Sequence, residues 1–302
     1  MPDSVVTSVM SAIEDLRRVL VEVPGFTTVA SAPFLFRPFV MLVLLGVAAG
    51  LVGVVVNLRC MEFNAEAMVH SVFPGVVAGA IYGGIEKIVP GAAAVAVLVA
   101  VALALLGGSR RMNEAGVAVV LTSFFSAGVV LSLRKGDMSG QLEALMFGRL
   151  LEVSDTRLVQ SLAVCVVALA VIAVSWRRQI FRAFDPDGSR AAGFAPLTTD
   201  LLANGAIAAV VVAASSAVGV LLVIGYLVVP GAAGRLVGRR ISVMAPVAVV
   251  VGVAGGYAGM LAMNLDTPHP VSPQAAVALS VLALYFALLP LAPLVRRRAV
   301  TR

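Results

Sequence analysis

Charge vanishes from long stretches of this chain and returns in short bursts. The windows 38–57, 91–107, 116–133, 158–176, 201–234, 241–265 and 270–295 hold no Asp, Glu, Lys or Arg. A helix needs about 20 apolar residues to cross the hydrocarbon core of a bilayer. Most of these windows therefore predict one crossing each. Only helices and closed barrels satisfy their backbone in lipid, and continuous apolar runs lack the alternation of barrel strands. Residues 62–84 predict a further, less apolar span carrying Glu62, Glu66 and His70. The fold class is all-α: a polytopic integral membrane protein with about eight full transmembrane helices plus a short half-helix.

The half-helix comes from window 201–234, whose 34 residues would make about 51 Å of helix. That is too long for one crossing and too short for two. Pro230, with Gly225 and Gly231, predicts a break between a full helix near 201–222 and a half-helix near 224–236; the alternative is one long tilted helix. Upstream, Val5, Val9, Ile13, Leu16 and Leu20 share one face of residues 4–21, with Glu14, Asp15, Arg17 and Arg18 elsewhere. Residues 1–34 are thus an amphipathic, interfacial extension or a tail, and 35–302 the transmembrane domain. No cleavable signal peptide is expected at the N-terminus.

Charge does not settle orientation. With the N-terminus outside and 201–234 crossing twice, inside loops carry 14 of the 22 Lys+Arg; with the N-terminus inside and one crossing, they carry 15. Both arrangements put Arg239, Arg240 and the run Arg296, Arg297, Arg298 in the cytoplasm; they differ on loop 177–200.

Composition narrows the function. The chain is 60% hydrophobic and 13% charged, so a soluble fold could not cover its apolar surface. The net charge of +6 sits in loops and at the C-terminus, which fits topology signals and lipid headgroups and not a nucleic-acid face. Cys60 and Cys165 lack metal-ligand spacing and read as small hydrophobes. There is no GxxxxGK[ST] loop, no HExxH and no Ser/His/Asp set, so neither P-loop ATP binding nor intramembrane hydrolysis is expected of this chain.

The candidate chemistry lies in 62–84. Glu66 and His70 are one helical turn apart on one face. An acidic group inside a span costs about 2.5–3.5 kcal/mol on insertion scales and usually faces a cavity or a partner. A carboxylate and an imidazole together suit a divalent transition metal; the competing reading is that the two side chains simply pair. Pro74 removes the amide that would bond the His70 carbonyl, which predicts a third free oxygen at that depth. His269 and Asp266 lie in a Pro-rich loop, solvated by default and placed to meet an extracellular partner if the loop is external. Residues 181–196 (FRAFDPDGSRAAGFAP) read as a polar surface segment.

Several segments resemble the permease subunits of zinc/manganese/iron-type metal-uptake ABC transporters. RCMEFNAEAMVHSVFPGVVAG (59–79) is similar to that family's arginine-methionine turn followed by G-D-A-L-S-H-A-V-L-P-G. His70, Pro74 and Gly75 match; Glu66 stands for the family aspartate and Ala65 for its glycine. LMFGRLLEVSDTRL (145–158), FDPDGSRAAGFAP (184–196), AVGVLLVIGYLVVPGAAGRL (217–236) and LDTPHPVSPQAAVAL (265–279) resemble further family segments in the same order. The resemblance implies a homodimer of permeases in the cytoplasmic membrane, separate ATP-binding ABC subunits that hydrolyse ATP, and an extracellular metal-binding solute-binding protein. It implies that Phe184, Asp185, Pro186, Arg190 and Gly193 belong to an ATPase-coupling helix, which places loop 177–200 inside. It also puts Glu66 and His70 where the family's pathway ligands stand, with a divalent metal ion as cargo and no permanently bound cofactor. The alternatives are an ABC permease for a metal chelate (siderophore, haem or cobalamin) and an ATPase-independent secondary transporter.

Overall fold

In the computed structural model, residues 3–106, 113–133, 148, 150–215, 219–265 and 271–300 are described. Their helices, in chain order, are α1 (Asp3–Leu20), α2 (Thr27–Ala30), α3 (Pro33–Arg59), α4 (Glu62–Ser71), α5 (Phe73–Gly83), α6 (Ile88–Leu106), α7 (Asn113–Leu133), α8 (Asp155–Phe184), α9 (Pro186–Ala191), α10 (Pro196–Ser215), α11 (Val220–Val237), α12 (Ile241–Ala262) and α13 (Pro273–Val300). Eight segments are long and apolar enough to cross a membrane, with α4 and α5 together forming one of them, Glu62–Gly83. Most of α11, Leu222–Val237, is a shorter apolar helix. The all-α polytopic expectation holds among the described residues.

The break in window 201–234 falls elsewhere than expected. Helix α10 is described as far as Ser215, and α11 starts after Gly219, whose φ is 87°. Glycine enters that left-handed region without a Cβ clash. Pro230 and Gly225 lie inside continuous α11. Neighbouring helices supply polar partners around the proline, as membrane bundles commonly do. Asn57 Nδ2 donates to the carbonyls of Gly53 (2.9 Å) and Val228 (3.2 Å), and Arg235 Nη1 donates to the Asn57 carbonyl (2.7 Å).

Helix α3 is the central post, packed against α8, α10, α11 and α12. Its buried face includes Met41, Leu42, Leu45, Ala48, Ala49 and Val52. Glycines set how closely its neighbours come. A Cβ on Gly53 would strike the Leu227 carbonyl oxygen, and one on Gly231 would strike the Gly53 carbonyl. A Cβ on Gly46 would lie 2.8 Å from the Gly252 carbonyl carbon. Gly53→Ala and Gly231→Ala are each expected to destabilise the bundle by about 1–3 kcal/mol through overpacking. Gly205→Ala, with nothing within 4 Å of its added methyl, serves as the neutral control. Thermal unfolding of the purified proteins in detergent compares them.

The packing also bears on orientation. Met244 at the start of α12 packs with Val54, Leu58 and Trp176, so the start of α12, the end of α3 and the end of α8 share one end of the bundle. Arg59 bonds Asp200 near the start of α10, which brings loop 177–200 to that end too. Helix α13 runs antiparallel to α12, since Gly259 lies against Val277 and Gly255 against Val281. The Arg296–Arg298 run therefore returns to the same end. That end collects Arg177, Arg178, Arg182, Arg190, Arg239 and Arg240, and the positive-inside rule assigns it to the cytoplasm. The opposite, outer end holds the Arg37–Asp155 ion pair (2.7 Å) and α1.

Candidate functional site

A sharp turn starts the site. Cys60 caps α3 in the left-handed region (φ 53°) and returns its amide to Val56 O. Helix α4 then re-enters the bundle three residues after α3 ends. The span breaks at Val72, and Pro74 lies in the first turn of α5. Pro74 removes the usual donor to the His70 carbonyl, while the Val72 amide keeps its helical bond to Met68 O (3.1 Å) and also turns toward His70 O. Close packing accommodates the break, because a Cβ on Gly128 of α7 would come within 2.7 Å of the Phe73 ring and 2.9 Å of the Pro74 nitrogen.

Glu66 and His70 lie on the cytoplasmic side of that break, His70 two residues from it. Their side chains meet, with His70 Nε2 2.9 Å from Glu66 Oε1. The His70 side chain is 21% exposed and the Glu66 side chain 37%. Phe125 of α7 meets the imidazole edge-on at 5.6 Å between ring centroids. Glu62, Phe63 and Glu66 from α4 and Ile224, Gly225, Val228 and Val229 from α11 line a cleft of about 510 Å³. Glu66 thus faces a gap between two helices. Two ligands about 2.1 Å from one ion lie ~3.0 Å apart in an octahedral shell and ~3.4 Å apart in a tetrahedral one. The observed separation needs at most a small opening to admit a cation. Among the described residues, no third His, Cys, Asp or Glu joins the pair as a metal-binding cluster.

The residues expected on the coupling segment come together at the cytoplasmic end. Asp185 Oδ1 accepts from the Gly188 amide (2.8 Å) and so caps α9, with Pro186 at its first turn. Gly193, at φ 85°, ends it, its amide donating to Arg190 O (3.0 Å). Phe184 and Arg190 are exposed beside it. Asp266 and His269 lie outside the described residues.

The charged cluster behind α9 was not foreseen from the sequence. Arg59 donates to Asp200 and to Gln179 Oε1 (2.7 Å). Arg182 Nη2 donates to Asp200 Oδ2 (2.7 Å), and Gln179 Nε2 to Thr199 O (2.9 Å). Asn204 then links this cluster to α4: its Nδ2 donates to Asp200 O (3.0 Å), and Asn64 Nδ2 lies 3.4 Å from its Oδ1. The one available signal was positional, since Asp200 immediately precedes a charge-free window.

The eight spans define a multi-pass membrane protein. The family model described as the ABC 3 transport family matches residues 31–290, and the chain belongs to that family. A manganese transport system membrane protein of Halalkalibacterium halodurans is 30% identical over 236 residues, covering 78% of this chain and 80% of that protein. A chelated iron transport system membrane protein of Yersinia pestis is 31% identical over 233 residues, covering 76% of each chain. Among solved structures, PsaBC from Streptococcus pneumoniae in complex with Fab aligns with a TM-score of 0.77 at 22% identity, over 92% of this chain and 99% of that one; this likeness concerns the fold.

Proposed function

We propose that this chain is the membrane-spanning subunit of an ABC importer in the cytoplasmic membrane, carrying a divalent transition-metal ion of the zinc or manganese class. The observation that carries this reading is the Glu66–His70 pair, held within a span beside the cleft between α4 and α11. A carboxylate inside a span is costly unless it serves a polar pathway, and a carboxylate with an imidazole is a suitable donor set for such ions. The relatives named for manganese and chelated-iron transport support the substrate class. Two side chains do not complete a metal shell. The cleft opens on the side of α4 and α11, so a second copy of the chain facing it would supply the missing ligands.

In this mechanism an extracellular solute-binding protein delivers the ion at the outer end, with Asp266 and His269 as the residues proposed to meet that partner. The ion passes His70 and Glu66 toward the cytoplasm. Separate ATP-binding subunits dock on α9 and drive alternating access. The polar contacts from Arg182 through Asp200 and Asn204 to Asn64 offer a physical link from the end of α8, next to α9, to α4. The chain itself makes and breaks no covalent bonds. The test is ATP-dependent metal uptake by proteoliposomes holding the permease and its ATPase. Uptake that needs no ATPase would instead support a secondary transporter.

Docking on α9 carries its own expected result. Asp185→Ala removes the helix cap, worth about 1 kcal/mol. It is expected to lower ATP-driven uptake and ATPase affinity for the permease with little change in the permease's thermal stability. Co-purification with the ATPase and uptake rates check this.

A chelate reading draws on one observation, the cleft of about 510 Å³, which lies in the usual range for small-molecule pockets. Chelate uptake unaffected by Glu66→Ala and His70→Ala would favour it.

A further inference from the structure

Helix α1 precedes the residues matched by the family model. It lies at the outer end of the bundle, against α3 and α8. Ile13 is buried in the bundle core, with Val9, Met10 and Leu20 packed against it. Arg17 is fixed at the same contact, donating to Ala30 O (2.9 Å) and to both Glu14 oxygens (2.9 and 2.6 Å). These bonds hold the Glu14 carboxyl below its usual range, chiefly through the hydrogen bond from Arg17.

At 100° per residue, the apolar arc of α1 is about twice as wide as this docked face. Val5, Ala12, Leu16 and Val19 continue the arc on one side and are all exposed; Leu16 is 48% exposed and Val19 65%. The opposite arc holds Ser4, Ser8, Ser11, Asp15 and Arg18. An aromatic group lies at the same end: Phe26, Phe39 and Tyr257 stack within 6.0 Å of one another, and the Tyr257 hydroxyl donates to Gly25 O. Such rings mark headgroup depth in membrane proteins.

We infer that α1 is an outer-leaflet interfacial helix, with Val5, Ala12, Leu16 and Val19 inserted into lipid beside the bundle and the serine-rich arc facing water. The stripe lies at the same end as the Phe26, Phe39 and Tyr257 rings, at headgroup depth, so acyl chains cover it. The charges Asp3, Glu14, Asp15, Arg17 and Arg18 make no basic face. Insertion therefore rests on apolar burial and needs no anionic lipid.

The test adds one tryptophan at a time to the full chain, whose native Trp176 is the only tryptophan and gives a constant background. Leu16→Trp, Val19→Trp, Ser8→Trp and Ser11→Trp proteins are reconstituted in phosphatidylcholine vesicles, with and without lipid brominated near the headgroup end of its acyl chains. The added emission of Leu16→Trp and Val19→Trp is expected to fall about twofold in brominated lipid, and that of Ser8→Trp and Ser11→Trp to stay nearly constant. Replacing part of the phosphatidylcholine with phosphatidylglycerol should leave this pattern unchanged. Equal quenching at all four positions, no quenching at Leu16→Trp and Val19→Trp, or quenching only with phosphatidylglycerol would overturn the inference. All four positions are exposed on α1, so the substitutions spare the packed core.

Discussion

Glu66→Ala is expected to lower divalent-metal uptake by at least about tenfold, because losing even an outer partner of a metal ligand typically costs about 10–100-fold in affinity. His70→Ala is expected to do the same. What separates a ligand from a structural residue here is the sign of the stability change. A carboxylate within a span costs about 2.5–3.5 kcal/mol on insertion scales. Its removal should leave the permease as stable as before or more so. Glu66 is also part-exposed in the cleft, so little packing is lost with it. Uptake of labelled metal by proteoliposomes, set beside thermal unfolding of the same preparations, reads both quantities. Parallel losses of uptake and stability would make Glu66 a structural residue. Glu66→Asp shortens the arm by one methylene and is expected to retain uptake while changing the preference among metals.

Asp200→Ala is expected to have the largest effect on stability. Asp200 takes one hydrogen bond from Arg59 and another from Arg182. The Arg59 and Asp200 side chains are only 9% and 7% exposed. Removing the carboxylate leaves two guanidinium groups facing each other without a counter-ion, and breaking a buried pair this way costs about 3–5 kcal/mol. Arg59→Ala should be milder, since Arg182 still pairs with Asp200. The outer pair Arg37–Asp155 is the control: its side chains are 36% and 45% exposed, and losing it should cost less than about 1 kcal/mol. Thermal unfolding in detergent ranks the three. Asp200→Ala should also weaken ATP-driven uptake in the protein that remains folded, because the same residue joins the flank of α9 to α10.

The spans were legible because lipid imposes a strict condition on sequence: about 20 residues without charge. Windows such as 38–57 and 241–265 meet it and became α3 and α12. The pair Glu66 and His70 was legible too, since a four-residue spacing puts two side chains on one helical face whatever surrounds them. Where contacts between distant segments decide, the sequence was mute. Pro230 reads as a breaker, yet Asn57 and close packing at Gly53 keep α11 continuous past it, and the break moved to Gly219. Asp200 looked like the edge of a window, and only the approach of α3 to α8 and α10 made it the centre of a charge cluster. The periodicity of 4–21 marked an amphipathic helix but not which half of its apolar arc meets the bundle.

The most direct measurement is pulsed electron paramagnetic resonance of Mn²⁺ bound to the purified permease, which detects a nitrogen nucleus coordinated to the ion. The native chain is expected to show one imidazole nitrogen coupling that disappears in His70→Gln, with binding also weakened in Glu66→Gln. Bound manganese with no nitrogen coupling, or a coupling that survives in His70→Gln, would contradict a metal pathway through this pair.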